Sequence, residues 1–123
     1  MLFAVNGTLM RNLELNQNML DAGGAFVGEA HTAPVYRMWS IDNRYPGMVR
    51  VNKDGVALAL ELWEIAAAGL AQILEKEPPG LTVGRVLLDD GREVLGVLAE
   101  SYVTQNKVEI SHFGGWRAYL GRQ

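Results

Sequence analysis

The sequence predicts an α+β fold in which a small, mixed and mostly antiparallel β-barrel is flanked by helices. Short segments rich in apolar and β-branched residues outnumber the helical ones. Strands and helices do not alternate regularly along the chain, which argues against a doubly wound parallel sheet. Few of the predicted strands carry the charged residues that protect a free edge, and this favours a sheet that curls on itself.

One domain is expected over residues 1–123, because a chain of this length with 49% hydrophobic residues can form a single core. The chain has no cysteine, so it has neither a disulfide framework nor a thiolate nucleophile, and this suits a reducing cytoplasm. A net charge of −3 and scattered basic residues argue against nucleic acid as a partner. No apolar run approaches the roughly 20 residues that cross a bilayer, and the N-terminus lacks the pattern of a signal peptide. A cytoplasmic protein is therefore expected.

The first third of the chain predicts two strand regions around a helix. Residues 2–5 form a continuous apolar run, which is typical of a buried strand. Asn12 is predicted to cap a helix over residues 13–22, and Gly23-Gly24 to end it. Residues 25–41 are rich in β-branched and aromatic side chains and predict extended structure, with a bend or an edge position at Pro34.

The middle of the chain predicts a strand on each side of a turn. Residues 45–47 (Tyr-Pro-Gly) are predicted to turn, and residues 48–51 to form a short strand that ends in a second turn at 53–55. Apolar residues then alternate over 56–63, the period of a β-strand.

The last part of the chain predicts a helix, a hairpin and a terminal helix. Helical spacing of apolar residues covers 66–75, and Pro78-Pro79-Gly80 ends that helix. Ser111 is predicted to cap a final helix that carries Trp116. The hairpin consists of strands 83–88 and 94–99, joined by the turn Asp89-Asp90-Gly91.

Glu61 is a candidate catalytic residue because of the strand face on which it lies. Alternation places it beside Ala59 and Trp63, on the face opposite the leucines. If another element covers this face, the carboxylate is desolvated and its pKa rises toward that of a general acid or base. If the face is open to solvent, Glu61 is an ordinary surface residue.

Glu77 and the first turn are the other candidates. Glu75 and Glu77 lie at the C-terminal end of the second helix, where the helix dipole disfavours negative charge, so either they are solvated or another role selects Glu77. Asn6-Gly7-Thr8 can present consecutive amides and a hydroxyl to a carboxylate, or can simply be a strand-to-helix turn.

Other polar residues point less clearly to a site. Tyr36 and Arg37 can hold an anionic ligand, although such an arginine can equally pair with a surface carboxylate. Neither histidine has a second ligand at metal-binding spacing, so no metal site is predicted. Gly114-Gly115 lacks the spacing of a phosphate-binding loop. No cofactor is expected.

Six segments carry a family resemblance, in the order VNGTL, TAPVYRMWSI, PGMVRV, ALELWEI, PPGLTVGRVLLDDGREVLG and ISHFGGWRAYL. Together they resemble the C-terminal domain of allophanate hydrolases, which belongs to the wider γ-glutamylcyclotransferase-like (AIG2-like) group. The resemblance covers almost the whole chain, and its most specific parts are TAP-x-YR and FGGWRAYL. It implies a small mixed barrel with a pocket floored by the loop after the first strand.

The resemblance also implies roles for particular residues. In cyclotransferases the amides of that loop hold the substrate, and a glutamate acts as general acid and base. Gly7, Thr8 and Leu9 match the loop, with Asn6 where those enzymes have tyrosine. Glu77 aligns with the glutamate.

The resemblance to allophanate hydrolases also implies a reaction. There the domain is fused to an amidase and breaks down N-carboxycarbamate to ammonia and carbon dioxide, with a histidine of the first helix taking part. Gln17 aligns with that histidine, and glutamine cannot transfer a proton. We hypothesise that a carboxylate, Glu77 or failing that Glu61, has taken over. The chain begins at the first predicted strand, so a domain without the amidase half is expected.

The leading prediction is thus a domain that binds and processes a small carboxylated amide or carbamate by C–N cleavage or decarboxylation. The predicted ligand contacts are Asn6, Gly7, Thr8, Leu9, Gln17, Tyr36 and Arg37. A first alternative is a non-catalytic module that senses a ligand or partners a separate amidase, which Gln17 favours. A second alternative is a γ-glutamylcyclotransferase, which Asn6 disfavours.

Overall fold

The computed structural model describes residues 1–121, which form eight strands and three α-helices. Strands β1 to β8 and helices α1 to α3 are numbered in chain order. The elements are β1 (Leu2–Val5), α1 (Asn16–Asp21), β2 (Ala25–His31), β3 (Tyr36–Ile41), β4 (Tyr45–Arg50), β5 (Ala59–Glu64), α2 (Ala67–Lys76), β6 (Leu81–Leu87), β7 (Glu93–Ala99), β8 (Val108–Glu109) and α3 (Trp116–Gly121). Short 3₁₀ turns precede β8 and α3.

The strands form two sheets. The larger sheet has the order β2-β5-β1-β7-β6 and the smaller one the order β4-β3-β8. Strand β1 runs parallel to β7, and the other pairs in residues 1–121 are antiparallel. The predicted mixed, mostly antiparallel α+β architecture is therefore confirmed.

The larger sheet curls until its two edge strands meet at one end. A bridge joins Thr32, just after β2, to Leu88, just after β6, and the amide of Ala33 donates to the carbonyl of Leu87 at 3.0 Å. Within residues 1–121 no longer ladder joins β2 to β6. The barrel predicted from the sequence is thus a curled sheet with a partial closure.

The core lies inside this curl. Strand β1 is central in the larger sheet, between β5 and β7, and Phe3, Ala4 and Val5 are almost completely buried. Trp63, Trp116 and Tyr36 are among the largest fully buried side chains. None of the helices in residues 1–121 is long and apolar enough to cross a membrane.

The first helix begins later than the sequence predicted. Asn12 does not cap it: its φ of 65° lies in the left-handed region, and the helix starts at Asn16. The side chain of Asn16 instead donates to the carbonyl of Leu9 at 2.9 Å, which ties the helix to the loop after β1. The predicted end is confirmed, since Gly23 has a φ of 81° and the amide of Gly24 bonds to the carbonyl of Met19 at 2.9 Å.

Two other local predictions were wrong. Tyr45, Pro46 and Gly47 are not a turn but the first half of β4; the chain reverses just before them, at Asp42 and Asn43, with φ values of 55° and 59°. Ser111 does not cap the last helix, which begins at Trp116. Its hydroxyl accepts a hydrogen bond from the Met38 amide at 2.8 Å and so ties this segment to β3.

Candidate functional site

The loop after β1 is held in place from two sides. The side chain of Asn6 is buried and donates to the carbonyl of Val97 on β7 at 2.9 Å. Gly7 lies directly against the Pro46 ring, so that an added Cβ would lie 2.5 Å from the proline Cδ. A side chain at position 7 would therefore push the loop away from β4, and this close approach explains the glycine.

This loop leaves backbone donors free in a buried setting. The carbonyls of Gly7 and Thr8 accept bonds from the amides of Met10 and Leu15, each at 3.0 Å. The amides of Gly7, Thr8 and Leu9 have no backbone acceptor within residues 1–121. Buried amides are normally paired, so these three are available to an acceptor such as a carboxylate.

Glu77 and this loop line the same cavity. A narrow niche of about 20 Å³ is bounded by the loop, by Tyr45 and Pro46, and by Glu77. A space of this size holds about one water-sized group. An outer cleft of about 440 Å³ shares Thr8, Tyr45 and Glu77 with the niche and opens beside it. The site can therefore take one carboxyl oxygen inside and the rest of a small molecule outside.

The position of Glu77 follows from the prolines after it. Helix α2 ends at Lys76, and Glu77 is extended, with φ −77° and ψ 148°. The residue before a proline avoids the helical conformation because of steric contact with the proline ring, so Pro78 turns the chain out of the helix here. Burial raises the pKa of Glu77 from its usual 4.5 to about 6 because the ionised form loses solvation.

The outer cleft carries charges of both signs. Arg44 and Lys76 line it together with Glu14 and Glu77. Neither cation forms an ion pair within residues 1–121, and both are exposed. They are therefore free to contact an anionic group that extends from the niche.

The raised pKa of Glu77 predicts a particular dependence of stability on pH. Between these two pKa values the native state keeps a proton on Glu77 that the unfolded chain loses. The contribution of Glu77 to the free energy of unfolding is therefore fully present below pH 4.5 and is lost as the pH rises through about 6. The upper limit of this contribution is about 2 kcal/mol. Glu77 is half-buried and shares its cleft with Arg44, Lys76 and Glu14, so solvent screening reduces the contribution to about 1 kcal/mol.

Urea unfolding between pH 4.5 and 7 measures this effect. We expect the free energy of unfolding of the natural protein to fall by about 1 kcal/mol more than that of Glu77→Gln over this interval. Equal slopes in the two proteins would show that Glu77 titrates normally.

Glu61 is buried, but in a different place. It is 2% exposed, so the interpretation that its strand face is covered is confirmed and the surface interpretation is wrong. Its carboxylate accepts four hydrogen bonds, from the Arg11 amide at 2.9 Å, Arg11 Nε at 3.2 Å, Arg117 Nη2 at 3.1 Å and Trp63 Nε1 at 3.2 Å. It lines neither the niche nor the outer cleft.

Three of the predicted ligand contacts lie away from the niche. Tyr36 is fully buried, and its hydroxyl accepts a bond from the Leu87 amide at 2.9 Å. Arg37 pairs with Glu109, the surface pairing considered as its alternative. Gln17 is exposed and donates to Asp21 at 2.9 Å. None of the three lines the cavity of Glu77.

Tyr45, Pro46 and Arg44 line the candidate site, and sequence reasoning missed them. Tyr45 and Pro46 were predicted to lie in a turn and Arg44 just before it, which gave no reason to expect contact with the loop after β1. The signal that was available is Pro46-Gly47 next to an Asp-Asn pair, because Asp-Asn suits a hairpin turn with positive φ. No group of three acidic or histidine side chains in residues 1–121 could hold a metal.

Comparison with known proteins finds one matching family model and several similar structures. The family model described as the allophanate hydrolase C-terminal domain matches residues 1–121. No curated protein sequence matches the chain. A structure of a uropathogenic E. coli-specific protein is 52% identical and superposes with a TM-score of 0.96, covering 99% of this chain and 96% of that one.

Two more distant structures share the fold. Allophanate hydrolase from Kluyveromyces lactis is 23% identical, with a TM-score of 0.93 over 98% of this chain. The chain spans 21% of the length of that enzyme. A mouse AIG2-like protein is 19% identical, with a TM-score of 0.64, and 85% of this chain and 79% of that one are covered.

Proposed function

Because the chain belongs to the allophanate hydrolase C-terminal domain family, we propose that it binds a small carboxylated carbamate or amide in the cavity of Glu77 and breaks its C–N bond. The observation that carries the proposal is the shared cavity: Glu77, whose pKa is raised, lines one niche with a loop in which the amides of Gly7, Thr8 and Leu9 have no backbone acceptor. A family relative acting on allophanate supports a substrate from urea-type nitrogen metabolism.

The niche favours one orientation of such a substrate. One carboxylate accepts from the amides of Gly7, Thr8 and Leu9, where preorganised donors stabilise negative charge. The remainder of the molecule extends toward Arg44 and Lys76 in the outer cleft, and these cations suit a second carboxylate. A dicarboxylate such as N-carboxycarbamate fits this distribution of charge.

The chemical step needs a proton on nitrogen. As the bond between nitrogen and one carboxyl carbon breaks, carbon dioxide leaves and the electron pair stays on nitrogen. Protonated Glu77 donates its proton to that nitrogen, which gives carbamate, and Glu77 regains a proton from water. A pKa of about 6 keeps a usable fraction of the acid form near neutral pH. The carbamate then takes up a further proton from water and decomposes to ammonia and a second carbon dioxide.

Glu61 has a different role in this proposal. Its four donors leave its oxygens no free acceptor site, and both arginines contact it directly. We assign it the positioning of Arg11, which follows the binding loop. The predicted catalytic role therefore passes to Glu77 alone.

Thermal unfolding with candidate ligands tests the binding site. The panel contains malonate as a stable mimic of N-carboxycarbamate, then glutarate, 5-oxoproline and a γ-glutamyl dipeptide. A ligand at 100 times its dissociation constant adds about 2.7 kcal/mol to the free energy of unfolding, and in a domain of this size that raises the melting temperature by several degrees, on the order of 10 °C. We expect malonate to give the largest rise.

Two arginine variants test whether malonate raises the melting temperature by binding in the outer cleft. Arg44→Gln should weaken this effect, because Arg44 lines the cleft just before β4, and Arg50→Gln should not, because Arg50 lies outside the cleft at the far end of β4. A rise only with γ-glutamyl compounds would identify a cyclotransferase instead. If no compound raises the melting temperature, the protein is better explained as a non-catalytic partner of an amidase.

A further inference from the structure

The side chain of Asn6 is buried, but only its nitrogen is paired. Its Nδ2 donates to the carbonyl of Val97 at 2.9 Å and lies 3.9 Å from the sulfur of Met48. Because a carbonyl oxygen only accepts hydrogen bonds, the nitrogen of the Asn6 amide must face Val97, and the orientation of the side chain is thereby fixed. The oxygen of the amide, Oδ1, takes no part in this anchoring.

Oδ1 of Asn6 is unpaired and accessible. It accepts no hydrogen bond within residues 1–121. It is not sealed inside the protein either, because among the buried and half-buried side chains of that part of the chain Trp116 Nε1 is the one unpaired polar atom without access to solvent. Asn6 is 4% exposed and lines the niche but not the outer cleft, so the niche is the space onto which Oδ1 opens.

The niche therefore offers both donors and an acceptor to a ligand. The amides of Gly7, Thr8 and Leu9 have no backbone acceptor, while Oδ1 of Asn6 lacks a donor. A carboxylate carries acceptors only, so on its own it leaves this buried oxygen without a partner, at a cost in binding free energy. A carbamate or amide carries an N–H beside its carbonyl or carboxyl carbon and can pair with both.

We propose that Asn6 determines specificity: its Oδ1 accepts a hydrogen bond from the N–H of the ligand and so selects a carbamate or amide over an analogue that has CH₂ in place of N–H. This inference rests on the proposed function, because the ligand must lie in the cavity of Glu77. It adds that the ligand nitrogen lies at the niche, which Asn6 and Glu77 both line, and where Glu77 protonates that nitrogen in the proposed reaction.

Two diesters form a matched pair of probes. Dimethyl iminodicarboxylate and dimethyl malonate have the same ester groups and differ only in a central N–H or CH₂, and neither has another N–H. We expect dimethyl iminodicarboxylate to bind at least about fivefold more tightly in a titration followed by NMR, because it alone pairs with Oδ1 of Asn6.

The ¹³C signal of the Asn6 side-chain carbonyl reports on the proposed bond itself. An accepted hydrogen bond withdraws electron density from the carbonyl carbon, so we expect this signal to move downfield with dimethyl iminodicarboxylate and to move little with dimethyl malonate. Asn52 provides the control signal, which should not move: it is exposed and lines neither the niche nor the outer cleft.

Matched variants test the same bond from the side of the protein. Asn6→Leu keeps the branched shape of the side chain and removes both polar atoms, so it should lose the preference between the two diesters, whereas Asn52→Leu should keep it. Asn6→Leu also removes the donor to Val97, and if it fails to fold, the carbonyl signal of the natural protein decides.

The outcomes separate this inference from the proposed function. Equal affinities of the two diesters, an Asn6 carbonyl signal that does not move, or an unchanged preference in folded Asn6→Leu would overturn it. If malonate binds and neither diester does, this inference fails and the proposed function stands. If malonate does not bind either, the proposed function fails with it.

Discussion

Replacement of Glu77 by glutamine is expected to lower ammonia release from N-carboxycarbamate by at least about 100-fold, the usual lower range for loss of a general acid. Glutamine keeps the shape of the side chain but cannot donate the proton that the leaving nitrogen needs. Malonate binding should persist or strengthen in the same variant, because a negative charge disappears from the cavity that receives a dianion.

The assay needs a short-lived substrate made in place. An amidase in excess produces N-carboxycarbamate from allophanate, and the rate of ammonia release is then compared with and without this protein, which corrects for spontaneous breakdown. The pH profile of the natural protein should show an ionisation near 6, set by the buried carboxyl of Glu77. The remaining activity of Glu77→Gln should lack that ionisation.

Glu75→Gln is the matched control. Glu75 lies in the last turn of α2, two residues before Glu77, is exposed, and lines neither the niche nor the outer cleft. It should retain the rate of the natural protein. If Glu77→Gln retains it as well and still binds malonate, the domain binds this ligand class without using Glu77 for the chemistry.

The parts of the fold that the sequence predicted well depend on neighbours along the chain. The apolar run of β1, the hairpin of β6 and β7, and the end of α2 at the prolines are local patterns, and each was found. The turn before β4 was misplaced at Tyr45-Pro46-Gly47, because Pro-Gly is a common turn signal. In the structure the left-handed pair Asp42-Asn43 makes the turn, and Pro46 lies in the strand against Gly7.

In the candidate site, too, the residues set by local sequence were predicted and those set by long-range packing were not. The loop after β1 and the carboxylate after α2 could be identified from local sequence and from the family resemblance, and the structure places them in one cavity. Tyr36 and Arg37 could not be assigned correctly, because their partners Leu87 and Glu109 are 51 and 72 residues away. Side-chain pairing over such distances depends on the packing of the whole sheet, which no local pattern records.

Glu61→Gln is expected to destabilise the protein by about 3 kcal/mol, the lower end of the range for breaking a buried ion pair on one side. The lower end applies because the partners Arg11 and Arg117 are 40% and 47% exposed, so water can solvate them again. The amide group of glutamine would bring donors toward the guanidinium groups, leaving fewer acceptors for the Arg11 amide and Trp63 Nε1.

Urea unfolding of Glu61→Gln and Glu29→Gln measures this difference under identical conditions. Glu29 pairs with the same Arg11 but is 73% exposed, and an exposed pair contributes about 0–1 kcal/mol. A similar small loss in both variants would show that the buried carboxylate does not hold this region together. If Glu61→Gln alone loses much of its free energy of unfolding, malonate should also raise the melting temperature of this variant less. The reason is that Arg11 then no longer fixes the end of the loop that supplies the amides of Gly7, Thr8 and Leu9.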